Sequence, residues 1–428
     1  MSALLICDKS TLESLNREEA SLLGRLFMHN ITPVLLLEIL ANIQEASRHA
    51  GQTPADRVSR LASKIPITST GVNLRHDVLI RREIGGVLQG IHTKMRRAIM
   101  VNPPKTARLP DGSIGGYYPE TNEDRALSAW RRGNFTLFDQ HMAEAWKKSI
   151  KSYDLASFIA DLKGDFRHLP KFSCVEEVKA FTDRTLGLRD KSQAYALLRA
   201  MLLHFGAPSG VVSDVLSLWQ SLLRAGNFII PSSFLPYCFH VFSVDLFFSI
   251  CLAQGLLPSS KHDKPHIDVL YLYYLPFCHA FSSGDNFHRK SVPLFLGRDQ
   301  RFFWSSDVKL ALKGVAEAAP DVPRRWSLPI TDTSIFGSLI DVLSPNWRRP
   351  QKENARDPNA DAELLKRLNA ARKAIKAGSA VAGVVDSDDF THIVTERHLT
   401  KSEMLREFPH LTEADFERIL AAQREDDE

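Results

Sequence analysis

Four carboxylates in this chain of 428 residues each sit at the edge of an apolar element. Asp8 directly follows the run ALLIC, and Glu38 interrupts LLLEIL. Far downstream, Asp268 opens VLYLYYLPF and Asp285 follows FSSG. Each has an ordinary alternative role. Asp8 and Asp285 suit turns and caps, Asp268 suits the first turn of a helix for electrostatic reasons, and Glu38 on a helix can face solvent. Gathered around one point, the four would repel one another unless cations neutralised them. An oxygen-only donor set suits Mg²⁺ or Mn²⁺ rather than structural zinc. Such an ion activates water and stabilises the oxygens of a scissile phosphate. The chemistry expected of Asp8, Glu38, Asp268 and Asp285 is therefore metal-dependent hydrolysis of a phosphodiester, without a His or Cys nucleophile.

The elements that must position them read as follows. Ala3 to Cys7 is a short buried strand, and the C-terminal ends of strands are where ligand groups gather in α/β sheets. From Leu12 the chain reads as a helix to about His29-Asn30, and Ile31 starts another extended piece. Thr32-Pro33 marks a helix start, because threonine caps and proline fits the first helical position. That helix carries Glu38 in its second turn. Strand, helix, strand, helix is the opening of an α/β domain.

The rhythm stops near residue 45. The stretch VNPPKTARLPDGSIGGYYPETNED reads as a long loop. Residues 123 to 165 and 173 to 225 read as helical, with Ser173 and Glu176 spaced for a capping box. Residues 234 to 257 form the one membrane-like stretch, but Pro236, His240 and Asp245 within it favour a buried helix over a membrane span. The α/β rhythm then resumes. Asp268 opens a helix stopped near Pro276, HAFSSGD is a strand delivering Asp285, RFFW is another strand, and Ser306-Asp307 starts the helix VKLALKGVAEA. Residues 345 to 361 read as a polar linker and 362 to 378 as a basic helix. Short helices and the acidic tail REDDE follow.

This pattern resembles the PIN-domain family of metal-dependent nucleases. In that family an Asp follows the first strand with a small hydroxyl residue soon after, matched here by Asp8 and by Ser10 or Thr11. The second acid lies on an early helix, matched by Glu38. The third opens a later helix and the fourth follows the next strand, matched by Asp268 and Asp285. The resemblance covers roughly residues 1 to 45 and 265 to 315. It implies an α/β fold with a central parallel sheet flanked by helices, Mg²⁺ or Mn²⁺ as cofactor, and cleavage of RNA, less often of structured DNA. On this reading residues 1–48 and 261–340 form a PIN-like core, 49–260 a mainly helical insertion that splits it, and 341–428 a linker with C-terminal helices.

Composition sets the remaining bounds. A formal charge of +4 permits nucleic-acid binding without arguing for it. Arg81, Arg82, Arg96 and Arg97 form a local basic cluster with Arg75 and Lys94. Such groups position a nucleic-acid backbone without reading its sequence, although each taken alone is more often a normal solvated face. His288 and Arg289, just after Asp285, are placed to meet phosphate near the acids. The five cysteines show no CxxC spacing and read as buried free thiols in a reducing, cytoplasmic setting. The N-terminus reaches Asp8 too soon for a signal peptide. No Walker loop, GxSxG elbow or strong zinc motif is present. RNA is the expected partner, with a protein partner or a second copy engaged through the helical insertion. The alternatives are a non-catalytic PIN-like scaffold or binding module, and a DNA nuclease.

Overall fold

The computed structural model describes residues 3–44, 53–67, 69–91, 95–108, 114–152, 155–187, 190–257, 265–318, 335–343 and 392–395. The linker, the basic helix and the acidic tail expected after residue 344 lie outside these, as does Lys94. Eight strands occur among the described residues: β1 (Ala3–Cys7), β2 (Phe27–Ile31), β3 (Thr70–Val72), β4 (Lys105–Arg108), β5 (Ile114–Tyr118), β6 (Ala280–Ser283), β7 (Arg301–Trp304) and β8 (His392–Thr395).

The protein is α/β. Five strands form a parallel sheet in the order β3-β2-β1-β6-β7, flanked by helices. β1 is buried at all five positions. A continuous apolar run of this kind is what a central parallel strand covered on both faces requires. The chain moves outward in one direction through β1, β2 and β3. It then returns to the other side of β1 with β6 and continues to β7. The order therefore reverses between β1 and β6, whose register pairs Cys7 with Ser282. Such a reversal leaves a crevice beyond the C-terminal ends of the two strands.

The helical stretch from Leu12 is broken where the sequence was expected to run on. Helices Lys9–Ser14 and Arg17–Leu26 are separate, because Asn16 and Glu19 form a reciprocal capping box that starts the second one. The next strand begins at Phe27, four residues before the expected Ile31. Thr32 caps the helix Pro33–Leu40 as expected, with Pro33 in its first turn. The sheet takes β3 from Thr70–Val72.

The expected long loop after residue 100 instead holds the antiparallel pair β4 and β5, and β5 pairs in parallel with β8. Tyr117 and Tyr118 supply strand propensity that the neighbouring glycines had masked. The capping box at Ser173 does not form. Cys174 is the cap residue, and the Ser173 amide donates to the Glu177 carboxylate at 2.7 Å.

The apolar helix Pro236–Ala253 is long and apolar enough to cross a membrane, yet 61% of it is buried. It is the hub against which helices His76–Val87, Leu155–Asp165, Val175–Leu186, Lys191–His204 and Pro265–Leu272 pack. Its own N-terminus carries no local side-chain cap. Glu83, 2% exposed on a different helix, supplies one by accepting from the amides of Tyr237 at 3.0 Å and Cys238 at 2.6 Å. All five cysteines are free thiols.

Candidate functional site

Asp8 leaves the C-terminal end of β1 and is 4% exposed. Its amide continues the ladder by donating to the Ser282 carbonyl at 3.1 Å. Its carboxylate caps the helix Lys9–Ser14, accepting from the Thr11 amide at 2.9 Å. The Ser10 hydroxyl lies 2.7 and 2.8 Å from its two oxygens, and the Ser283 hydroxyl donates to Oδ2. Lys64 reaches across from the turn after the helix Pro54–Ala62 to bond the Leu12 carbonyl at 2.6 Å, closing the far end of the same short helix.

β6 ends at Ser283, on the strand beside Asp8. The Gly284 amide donates to Ser10 Oγ at 2.7 Å, which ties the two strand ends together. A Cβ at Gly284 would lie 2.6 Å from Ser305 Oγ, so this close approach requires glycine. Asp285 then caps the helix Asn286–Ser291 through the Phe287 amide at 2.7 Å.

That helix turns His288 inward, where it is fully buried. Its Nε2 lies 2.9 Å from the Asp268 backbone carbonyl, which can only accept, so Nε2 carries a proton. Its Nδ1 lies 2.9 Å from Ser283 Oγ. The single Ser283 proton goes to Asp8, so Nδ1 must donate as well. His288 is therefore an imidazolium by donor accounting. Burial alone would lower its pKa, but bonding to Asp8 and the charges of Asp268 and Asp8 raise it to about 9. Reciprocally, burial pushes Asp8 up, while the bond and charge of His288, with Ser283 and the Thr11 amide, bring it below the ordinary carboxylate range. The ring edges of Phe281, Phe287 and Tyr271 surround the imidazole.

The two remaining acids arrive from helices packed on the same edge. Helix Pro33–Leu40 contacts helices Lys9–Ser14 and Pro265–Leu272, and the latter contacts Asn286–Ser291. Glu38 accepts from the Tyr271 hydroxyl. Burial raises its pKa, Tyr271 and Lys9 oppose that, and the Asp8 charge adds to it. Asp268 is pushed up to about 8, first by burial and then by the charges of Asp285, Glu38 and Asp8, with His288 opposing. Asp268 thus feels the charges of the other three acids, and Glu38 that of Asp8, near the β1–β6 reversal point.

Among the described residues, no three His, Cys, Asp or Glu side chains are arranged to hold a metal ion. Both Asp8 oxygens are already hydrogen-bonded, and His288 supplies positive charge beside them. The donor chemistry still suits a hard cation, because the acids offer only oxygen and burial raises the pKa of two of them, Glu38 and Asp268, in the absence of added positive charge.

The basic residues are dispersed. Arg97 chelates Asp299 and bonds the Pro276 carbonyl at 2.8 Å. Both partners precede strands β6 and β7, so Arg97 lies at the opposite end of the sheet from the acids. Arg81 pairs with Asp77 at 2.7 Å, and Arg82 bonds Asn102. Arg96 is also engaged. Arg289 stacks over Trp304 at 5.1 Å and is exposed. His279 accepts from the Leu4 amide at 2.9 Å, at the edge opposite His288. Ser283, Tyr271 and Glu83 were not singled out by sequence, since lone hydroxyls and a helical glutamate carry no spacing that marks them.

No family model matches the chain, and no curated protein or solved structure shows significant similarity to it.

Proposed function

We propose that this is a PIN-like metal-dependent endonuclease acting on RNA. Its core would be formed by the segments around residues 1–48 and 261–340, separated by a mainly helical insertion. The observation that carries the reading is that Asp268, buried near the point where strand order reverses, feels the charges of Asp8, Glu38 and Asp285, which come from three other elements. Uncompensated carboxylates are costly to bury, and the elevated pKa values of Asp268 and Glu38 express that cost. Glu38, Asp268 and Asp285 would hold Mg²⁺ or Mn²⁺, with Asp8 beside them. When bound, the ion supplies charge for an activated water and for the phosphate oxygens. Asp8, held by Ser10, Ser283 and His288, fixes the strand ends around that place. Arg289 is the exposed cation nearest in sequence and is suited to a phosphate of the substrate backbone.

The test compares wild-type protein with Asp8→Asn on labelled RNA and DNA, in Mn²⁺, Mg²⁺ or chelator. Metal-dependent RNA cleavage lost in the variant supports the reading. Cleavage that survives Asp8→Asn unchanged removes the assigned mechanism, and preference for DNA changes the substrate class. The second reading is a non-catalytic PIN-like scaffold. It is favoured by the saturated oxygens of Asp8 and the internal cation His288, and cleavage of neither nucleic acid would support it.

A further inference from the structure

A second site lies apart from the acids and does not depend on the nuclease reading. A cleft of about 700 Å³ opens between the helices His76–Val87, Ser209–Arg224 and Pro236–Ala253. That volume is within the roughly 300–1,000 Å³ typical of small-molecule sites. One face of the helix His76–Val87 lines its length. His76, Asp77 and Arg81 are its polar members, and Ile80, Ile84 and Leu88 its apolar ones. Val211 and Val241 extend the apolar wall. At Gly85 an added Cβ would meet nothing within 4 Å, so the helix surface is bare where it borders the cleft.

The polar end is organised around Asp245, on the buried hub helix. One of its oxygens accepts from the Tyr273 hydroxyl, and the other lies 2.7 Å from His204 Nε2. A carboxylate offers about four acceptor positions, so each oxygen retains capacity. Among the described residues no lysine or arginine pairs with Asp245. The rim is different: Asp77 is bridged to both Arg75 at 3.0 Å and Arg81 at 2.7 Å, so its charge is more than compensated by the two exposed guanidiniums. The His76 ring, tilted against Tyr273 at 5.1 Å, adds an aromatic wall. Burial depresses the pKa of His76, so this imidazole adds no positive charge beside the His204–Asp245 contact.

We propose that this cleft binds a small primary amine carried on an apolar chain or ring. The ammonium group would donate to Asp245 beside the rings of Tyr273 and His76, and the apolar part would lie along Ile80, Ile84 and Leu88. Isothermal titration calorimetry of the full chain with hexylamine, hexanol and hexanoate tests this. Saturable one-to-one binding of hexylamine is expected, with hexanol weaker and hexanoate undetectable. Asp245→Asn should weaken hexylamine by about tenfold or more. Gly85→Phe, placed on a helix surface with room for its Cβ and checked for folding by circular dichroism, should abolish binding. Asp285→Asn should leave it unchanged, which separates this cleft from the acidic site. The proposal is overturned if hexylamine shows no saturation up to about 10 mM. It is also overturned if hexanoate binds as well as hexylamine, or if folded Gly85→Phe binds hexylamine like the wild type.

Discussion

Nδ1 of His288 lies 3.4 Å from a carboxylate oxygen of Asp8, and both side chains are buried. The Ser283 hydroxyl bridges them, receiving from the imidazole and donating to the carboxylate. This ion pair joins the end of β1 to the helix that follows β6. It holds closed the seam at which the sheet reverses direction.

Removing the negative partner tests the pair directly. Asp8→Asn keeps the shape but strands an imidazolium in a closed aromatic pocket. Leaving one member of a buried ion pair unpaired costs about 3–5 kcal/mol. The His288 pKa should fall from about 9 to below 6.5, as followed by NMR of its ring protons. A variant in which it stays near 9 would show that Asp8 is not the main partner.

Removing the positive partner should act on Asp8. His288→Gln retains a donor but no charge, so the Asp8 pKa should rise from its depressed position. The cost to stability is again about 3–5 kcal/mol, read from urea midpoints at neutral pH. A neutral outcome would mean that hydrogen bonding, and not charge, holds the seam.

The pH dependence has a definite sign. His288 is raised from 6.5 to about 9, so its contribution is complete below pH 6.5 and is lost as pH rises through 9. Asp268 is raised from 3.8 to about 8, so the fold favours its neutral form and loses that advantage between these values. Without divalent cations, stability should therefore decline with rising pH, from about 4 to 8 through Asp268 and from about 6.5 to 9 through His288. Asp268→Asn should remove its share of that decline and recover several kcal/mol near pH 8. Asp8 works in the opposite sense, stabilising above 3.8 and failing as pH falls through its lower folded value. A decline between about pH 4 and 8 that is unchanged in Asp268→Asn would contradict this assignment.

Asp285→Asn isolates charge from structure. Asparagine is as good a helix cap as aspartate, so stability should change by less than about 0.5 kcal/mol. Under the proposed function, Mn²⁺ at about a hundred times its Kd stabilises the wild type by about 2.7 kcal/mol. That increment should shrink or vanish in the variant. Thermal melts with and without Mn²⁺ measure it, and an equal increment in both proteins would remove Asp285 from the ion's ligands.

Glu83 caps the hub helix from a distance, so its role should appear in folding alone. Glu83→Ala leaves two buried amides unpaired and should cost about 2–4 kcal/mol. Glu83→Gln, which keeps one acceptor, should cost less. If the alanine variant melts like wild type, other groups or water satisfy those amides.

The sequence by itself determined the strands that frame the site. ALLIC, AFSS and RFFW are short apolar runs bounded by polar or small residues, and Thr32-Pro33 starts the helix that carries Glu38. Local pattern suffices there because burial on both faces of a parallel sheet leaves little choice of residue. The break at Asn16 and the β4–β5 pair were harder to read: the first depends on a capping box inside a stretch whose pattern reads as one continuous helix, and the second hides its tyrosines among glycines. Only the tertiary structure decided what Asp8 meets. Neither the spacing of 280 residues from Asp8 to His288 nor the single letters of Ser283 and Tyr271 reveal a shared proton network. Long-range pairing of β1 with β6 brings those groups together, and the protonation of His288 follows from donors and acceptors that the chain places only when it folds.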